Sequence, residues 1–223
     1  MQQLNKELGY KTLTECVMDY LKKQLNSGAI KPEEEVDINE LSKILAVSRT
    51  PIREALLQLS KEGYIEHVRK AFTIKRITQE EIKDIYQVVG ILEAEASKTA
   101  ANDITAEDIT LLEDLYNGMK KSLAIDDFKT YLELNFKTHS IIVGYCNNPV
   151  LINTVRQLKE RLYEFPTILI NIPEWEIEMM DDHSQMIELL KNKNKEGLAN
   201  LIRNVHWSYS RNYQYLSKYY DIK

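Results

Sequence analysis

Apolar residues recur every three or four positions along most of this chain, the spacing that places side chains on one face of an α-helix. In the first third, this spacing predicts helices at residues 13–27 and 38–45, and a third that begins at Ser48 or Thr50. Gly28 and Gly63 are placed to end the first and the third helix.

The third helix has the features of a DNA-recognition helix. Pro51 fits its first turn, and its apolar stripe consists of Ile52, Ala55, Leu56 and Leu59. Arg49 and Arg53, four residues apart, are therefore predicted to project from the exposed side. Backbone N–H groups and guanidiniums at a helix start can meet phosphates, and arginine can bridge guanine O6 and N7. The alternative is a solvated helix with incidental arginines.

A two-stranded pattern follows this helix. Residues 64–68 and 71–75 are rich in β-branched and aromatic side chains, and Arg69 and Lys70 lie between them. Residues 33–37 suggest one further brief strand. Three helices and a basic hairpin predict a winged helix-turn-helix domain over residues 1–76, with the wing reaching the DNA backbone or minor groove.

From residue 78 onward the pattern is helical only. Thr78 to Glu81 form a capping box, and helices are predicted to start near residues 79, 105, 127, 149, 175 and 195, the last of them running from Lys195 to Tyr219. Short connectors and very little glycine favour an all-α bundle over residues 77–223. The predicted fold class is therefore mainly α, an N-terminal winged helix-turn-helix plus a C-terminal all-α six-helix bundle.

The overall charge hides an asymmetry that supports nucleic-acid binding. The chain has 223 residues and a net charge of −5. Residues 43–76 contain eight basic and three acidic residues, a net of +5, which leaves −10 for the rest. A basic module joined to an acidic body confines the predicted DNA contact to the N-terminal third.

Other features of the composition bound the class of protein. No run approaches eighteen apolar residues and the first ten residues are polar, so neither a membrane span nor a signal peptide is expected. Cys16 and Cys146 are far apart in sequence and are expected to be reduced thiols. These features predict a cytoplasmic protein.

Three histidines, His139, His183 and His206, fall on three different predicted helices. Each has apolar neighbours three or four residues away and is predicted to face the bundle interior. One such histidine is usually a hydrogen-bonded core residue, but three on separate helices favour a shared metal ion. Asn135, one turn before His139, is a candidate fourth ligand, and Zn²⁺, Ni²⁺, Mn²⁺ or Fe²⁺ would suit this donor set.

The sequence resembles the GntR family of bacterial transcription regulators, in its FadR-like branch with an all-helical FCD ligand-binding domain. The segment from Val47 to Leu56 is close to the family's helix-turn-helix consensus. His139 followed by Asn148-Pro149, and then His183 and His206, are similar to the family's FCD motifs. The resemblance implies a homodimer, a palindromic operator, a divalent metal held by one Asp and three His, and an organic-acid effector docked on the metal.

Five positions depart from the family pattern. Asn135 stands where the family usually has Asp, and Thr138 replaces a Phe. Val89 takes the place of an effector-contacting arginine, Asn39 that of a DNA-contacting arginine, and Lys70 lies near the usual wing glycine. A neutral amide donates less charge than a carboxylate, so the departures predict metal binding that is weaker or depends on an anionic effector.

The sequence therefore predicts a DNA-binding transcription regulator, not an enzyme, whose operator affinity is controlled by a small carboxylate-like effector at the metal. Its predicted DNA contacts are Arg49 and Arg53 in the major groove, Thr50 on phosphate, and Arg69 and Lys70 in the wing. Two alternatives remain open, a metal-dependent hydrolase using the three histidines and a regulator that responds to the metal itself. Helical spacing places no acid or base beside the histidines, which counts against the hydrolase.

Overall fold

The structure is a computed structural model that describes residues 11–26, 29–69, 71–163 and 172–220. The chain folds into two compact units, Met1–Ile77 with Glu160–Ile168, and Thr78–Lys159 with Leu169–Lys223. The sequence pattern did not indicate that residues after Lys159 group with the first unit. The domain assignment of residues 1–76 and 77–223 stays a prediction.

The first unit begins with three helices and a hairpin. These elements are α1 (Leu13–Asn26), α2 (Ile38–Leu45), α3 (Arg49–Lys61), β1 (Ile65–Val68) and β2 (Ala71–Ile74). The apolar stripe of α3 is completely buried, as its spacing predicted, because α1 and α2 pack against it. Gly28, which was predicted to end α1, lies outside the described residues.

The turn between α2 and α3 is held by local contacts. Asp37 caps α2 by accepting hydrogen bonds from the backbone N–H groups of two residues in its first turn. Ala46 ends the helix with a left-handed φ of 52°, and the Ser42 hydroxyl donates to the Val47 carbonyl over 2.6 Å. Ser48 occupies the N-cap position of α3 without a side-chain cap bond, and Thr50 lies inside the helix.

The wing is an antiparallel pair in which Ile65 faces Ile74 and Val68 faces Ala71. The side chains of Ile65 and Phe72 are buried, which holds the hairpin to its own unit. The brief strand predicted at residues 33–37 is a single bridge between Glu35 and Thr73.

The second unit contains helices and no strand among its described residues. They are α4 (Gln79–Asp103), α5 (Ala106–Ala124), α6 (Phe128–Gly144), α7 (Pro149–Tyr163, to Lys159 in this unit), α8 (Pro173–Lys191), α9 (Lys195–Leu201), a π-helix (Ile202–His206) and α10 (Tyr209–Tyr219). Thr78 and Glu81 make both hydrogen bonds of the predicted capping box. The predicted fold class is confirmed. The last predicted helix, Lys195 to Tyr219, is instead divided into α9, the π-helix and α10. None of the helices in the described ranges is both long and apolar enough to span a membrane.

Candidate metal centre and nucleic-acid interface

Three elements of the second unit bring three imidazoles together. His139 lies on α6, His183 on α8 and His206 at the end of the π-helix, and none of the three is more than 6% exposed. One ring nitrogen from each lies within 4.8 Å of the other two. Nε2 of His139 and Nε2 of His183 are 3.3 Å apart, about the separation of two nitrogens bound to one Zn²⁺ at 2.0–2.1 Å. The predicted inward orientation of the histidines is confirmed.

Glu93 on α4 is the hydrogen-bonding partner behind His139. Its Oε2 lies 2.9 Å from Nδ1 of His139 and accepts a hydrogen bond of 2.8 Å from the Trp207 indole, while Oε1 is 3.0 Å from Nζ of Lys159. Because a carboxylate only accepts, Nδ1 of His139 carries the proton. Nε2 therefore presents its lone pair to the other histidines.

A second carboxylate supports His206 in the same way. Oδ2 of Asp182 lies 3.2 Å from Nδ1 of His206 and accepts a 2.6 Å hydrogen bond from Nη1 of Arg211. Asp182 is 1% exposed, so it needs this partner. Two of the three imidazoles thus have the same support, a buried carboxylate paired with a cation.

Burial and these ion pairs determine the charges of the site. Burial raises the pKa of Glu93, but Lys159 and His139 outweigh it and hold this pKa far below its usual range. Burial, assisted by Lys159, lowers the pKa of His139 to about 4. Burial also lowers the pKa of His183 well below its ordinary value, and the other two imidazoles add to the effect. At pH 7 both rings are neutral, the form that binds a metal.

Oδ1 of Asn135, on α6 one turn before His139, is a buried polar atom with no hydrogen-bond partner among the described residues. An unpaired buried amide oxygen costs free energy unless it meets a cation or a donor. Asn135 is therefore suited to be a weak fourth ligand, whereas Val89 is completely buried and offers no polar atom. A donor set of three imidazole nitrogens and this amide oxygen fits a divalent ion of the zinc, nickel, manganese or iron type.

Several residues that build the site were missed by the sequence reasoning. Helical spacing placed no acid beside the histidines, yet Glu93 contacts His139 and Asp182 contacts His206, each from a different element. Lys159 and Arg211 were also missed. The sequence does mark Glu93 and Lys159, because each is a charged residue at a position where the helical spacing calls for an apolar one. Glu93 follows Val89 by four residues, and Lys159 follows Val155 by four.

The predicted DNA-contacting residues lie on two parts of the first unit. Arg49, Thr50 and Arg53 are exposed in the first two turns of α3, and the Arg53 guanidinium lies 5.8 Å from the Phe72 ring centre in β2. Arg69 is exposed in the hairpin turn with a left-handed φ of 58°. Lys70 lies outside the described residues.

The comparisons with known proteins agree with this architecture. Residues 13–73 match the family model for bacterial regulatory proteins of the gntR family, and residues 84–206 match that for the FCD domain. The HTH-type transcriptional regulator YdhC of Bacillus subtilis (strain 168) is 31% identical over 179 residues, 79% of this chain and 80% of YdhC. The HTH-type transcriptional regulator McbR of Escherichia coli (strain K12) is 28% identical over 87% of this chain and 89% of McbR.

A solved structure of E. coli McbR/YncC superimposes with a TM-score of 0.71 at 27% identity, covering 94% of this chain and 99% of that one. These relatives and both family models are those of transcription regulators and not of enzymes, so the hydrolase alternative is set aside. This chain belongs to the GntR family of bacterial transcription regulators that carry an FCD domain, and it is a DNA-binding transcription regulator.

Proposed function

We propose that this regulator is a cytoplasmic homodimer whose affinity for a palindromic operator is controlled by a small carboxylate effector bound at a divalent metal. Residues 1–76 form the DNA-binding domain, and residues 77–223 form the sensing and dimerising domain. His139, His183 and His206 hold the metal, with Asn135 as a fourth, weaker ligand. The observation that carries the proposal is the convergence of three buried imidazoles on one point.

The charge of the site supports an anionic effector. Glu93 is paired with Lys159 and Asp182 with Arg211, and Asn135 is neutral. The protein therefore leaves the two positive charges of a bound divalent ion uncompensated in a buried place. A bound ion supplies open coordination positions for oxygen ligands, and a carboxylate would bring both the oxygens and the missing negative charge.

The proposed mechanism is a shift between two conformations of the helical domain. An effector that binds one conformation more tightly increases its population, in proportion to the difference in affinity. In a homodimer this shift would change how the two winged domains meet the half-sites of the operator. The supports themselves, Glu93 and Asp182, keep Nε2 of His139 and His206 available while the effector exchanges.

The DNA face is tested with matched charge-removing variants. The change Arg49→Ala with Arg53→Ala should weaken binding to an operator selected from random DNA by at least about 30-fold, because each arginine is assigned about 1–3 kcal/mol. Lys129→Ala, which removes an exposed lysine of the helical unit, is the control and should bind as wild type. Unchanged affinity of the arginine variant, with normal circular dichroism, would refute the assigned face.

The sensing site is tested by adding the metal and the carboxylic acid separately and together. Metal-free protein is titrated with operator in four states: alone, with Zn²⁺, with a panel of mono-, di- and tricarboxylates, and with both. The proposal expects stoichiometric Zn²⁺ and a change in DNA affinity only when metal and one acid are present together. A response to Zn²⁺ alone would identify the ion as the signal. Protein that keeps no ion after gel filtration would refute the metal site.

A further inference from the structure

The C-terminal helix α10 holds the third histidine from two sides. It lies beyond the residues that match the FCD domain, which end at His206 itself. Yet two consecutive residues of α10 reach back to His206, one to its ring through a carboxylate and the other to its backbone. The helix is thus joined to the candidate metal site by hydrogen bonds and not only by apolar packing.

The ring contact runs through Arg211. Nη1 of Arg211 lies 2.6 Å from Oδ2 of Asp182, which lies 3.2 Å from Nδ1 of His206. The same nitrogen donates to the Val205 carbonyl over 3.3 Å, and Nη2 is 3.5 Å from Glu178. Without the guanidinium, the buried Asp182 carboxylate would lose its cationic partner, so it would no longer be held toward the His206 ring.

The backbone contact runs through Asn212, which is completely buried. Its amide nitrogen donates to the carbonyl oxygens of His206 and Ser208, each over 2.9 Å, and its oxygen accepts from the Trp175 indole over 2.8 Å. Both N–H groups and the oxygen of this amide are therefore used. The contacts cross the break between the π-helix and α10, where the helical hydrogen bonds are interrupted.

We propose that α10 is a working part of the metal site, in which Arg211 and Asn212 are positioning residues for His206. Arg211 holds the Asp182 carboxylate directed at Nδ1 of His206, so that Nε2 of His206 stays the metal-binding nitrogen. Because coupling between two binding events is reciprocal, a metal bound at His206 must in turn strengthen the docking of α10. This inference rests on the proposed metal site and adds to it the element that metal occupancy stabilises.

The first test compares three variants in the full chain. Arg211→Gln removes the ion pair, Arg211→Lys keeps a cation, and Lys218→Gln removes an exposed positive charge from the same helix. We expect Arg211→Gln to lower Zn²⁺ affinity by about 10- to 100-fold, the usual effect of disturbing the carboxylate that orients a metal-bound histidine. Arg211→Lys should recover most of the affinity, and Lys218→Gln should match wild type. Co²⁺ absorption spectra should change only for Arg211→Gln.

Nitrogen NMR of the metal-free protein provides a readout that does not need the ion. Wild-type His206 should show a protonated Nδ1 and an unprotonated Nε2, and Arg211→Gln should populate the opposite tautomer. Wild-type affinity, an unaltered Co²⁺ spectrum and an unaltered tautomer in Arg211→Gln would overturn the inference while leaving the metal site intact. A wild-type protein that binds no metal would overturn both.

The second test follows α10 by hydrogen exchange. Saturating Zn²⁺ should slow amide exchange in Tyr209–Tyr219 by at least about threefold in wild type, and much less in Arg211→Gln at the same occupancy. The segment Ala106–Ala124, which carries none of the three histidines, is the internal control. Exchange in α10 that does not respond to bound Zn²⁺ would contradict the coupling.

Discussion

At the scale of single residues, buried carboxylates divide into two kinds. Glu93 and Asp182 each have a cation and an imidazole as partners, which hold their pKa values below the ordinary range even though burial opposes this. Glu176 on α8 is 5% exposed, and burial raises its pKa to about 7, against only a weak opposing effect of Tyr131. The first kind is suited to orient a ligand, whereas Glu176 is a titratable group whose ionisation opposes folding.

The change Glu176→Gln tests this difference. A carboxyl whose pKa is raised on folding contributes stability below its unfolded value, near 4.5, and that stability is lost as pH rises through about 7. The variant should therefore be more stable than wild type at pH 8, by about 1–3 kcal/mol, and gain little at pH 5. Urea unfolding at both pH values measures it. Glu174→Gln, at an exposed position two residues earlier, should show no such pH-dependent gain.

At the scale of elements, the π-helix explains how the third histidine reaches the site. The wider turn at Ile202–His206 breaks the last predicted helix and places His206 and Trp207 against α4. Gly90 makes room for this approach, because a Cβ at Gly90 would lie 2.9 Å from the Cβ of Trp207 and 3.5 Å from the Arg203 carbonyl oxygen. Single π-turns occur often at functional sites, since the extra residue redirects a side chain.

Gly90→Ala should therefore disturb the site through packing alone. The added methyl meets a Cβ rather than a flexible side-chain end, so we expect a loss of about 1–3 kcal/mol in stability. Zn²⁺ affinity should fall with it, because the π-helix that carries His206 must shift. Gly144→Ala is the control, since a Cβ there meets nothing within 4 Å. Equal melting temperature and Zn²⁺ affinity in Gly90→Ala and wild type would show that Gly90 and Trp207 are not tightly packed.

At the scale of the whole molecule, the histidines connect stability to pH. His139 and His183 are neutral when buried, with pKa values lowered to about 4 and well below 6.5, whereas unfolded histidine takes up a proton near pH 6.5. Between pH 6.5 and 4 the unfolded chain thus binds more protons than the folded one. These two histidines therefore make the metal-free protein less stable on acidification through this range.

The loss of stability that the two histidines cause at low pH is best measured in the Glu176→Gln variant, because the carboxyl of Glu176 changes stability in the opposite direction. Urea unfolding of metal-free protein should show stability decreasing from pH 6.5 to pH 4, with a shallower decrease after His139→Gln. Zn²⁺ at 100 times its dissociation constant should add about 2.7 kcal/mol at pH 7, and a chelator should remove that gain. Equal pH slopes with and without His139 would contradict the buried neutral ring.

Periodicity and local chemistry determined much of this protein. The apolar stripe of α3, the capping box of Thr78 and the inward side of His139 follow from spacing along a helix, because burial selects one face and each residue must match it. The strand pairs of the wing followed from residue type in the same way. The family motif added the winged helix-turn-helix and FCD architecture.

Only the tertiary structure decided which side chains meet. The pairing of Glu93 with Lys159 and of Asp182 with Arg211 joins residues 66 and 29 positions apart, a separation that no helical period encodes. The π-helix depends on the space that Gly90 leaves on a different helix, so spacing within residues 195–219 predicted one continuous helix instead. Periodicity reports which face of an element is buried, whereas the partner of a buried charge is chosen by the packing of other elements.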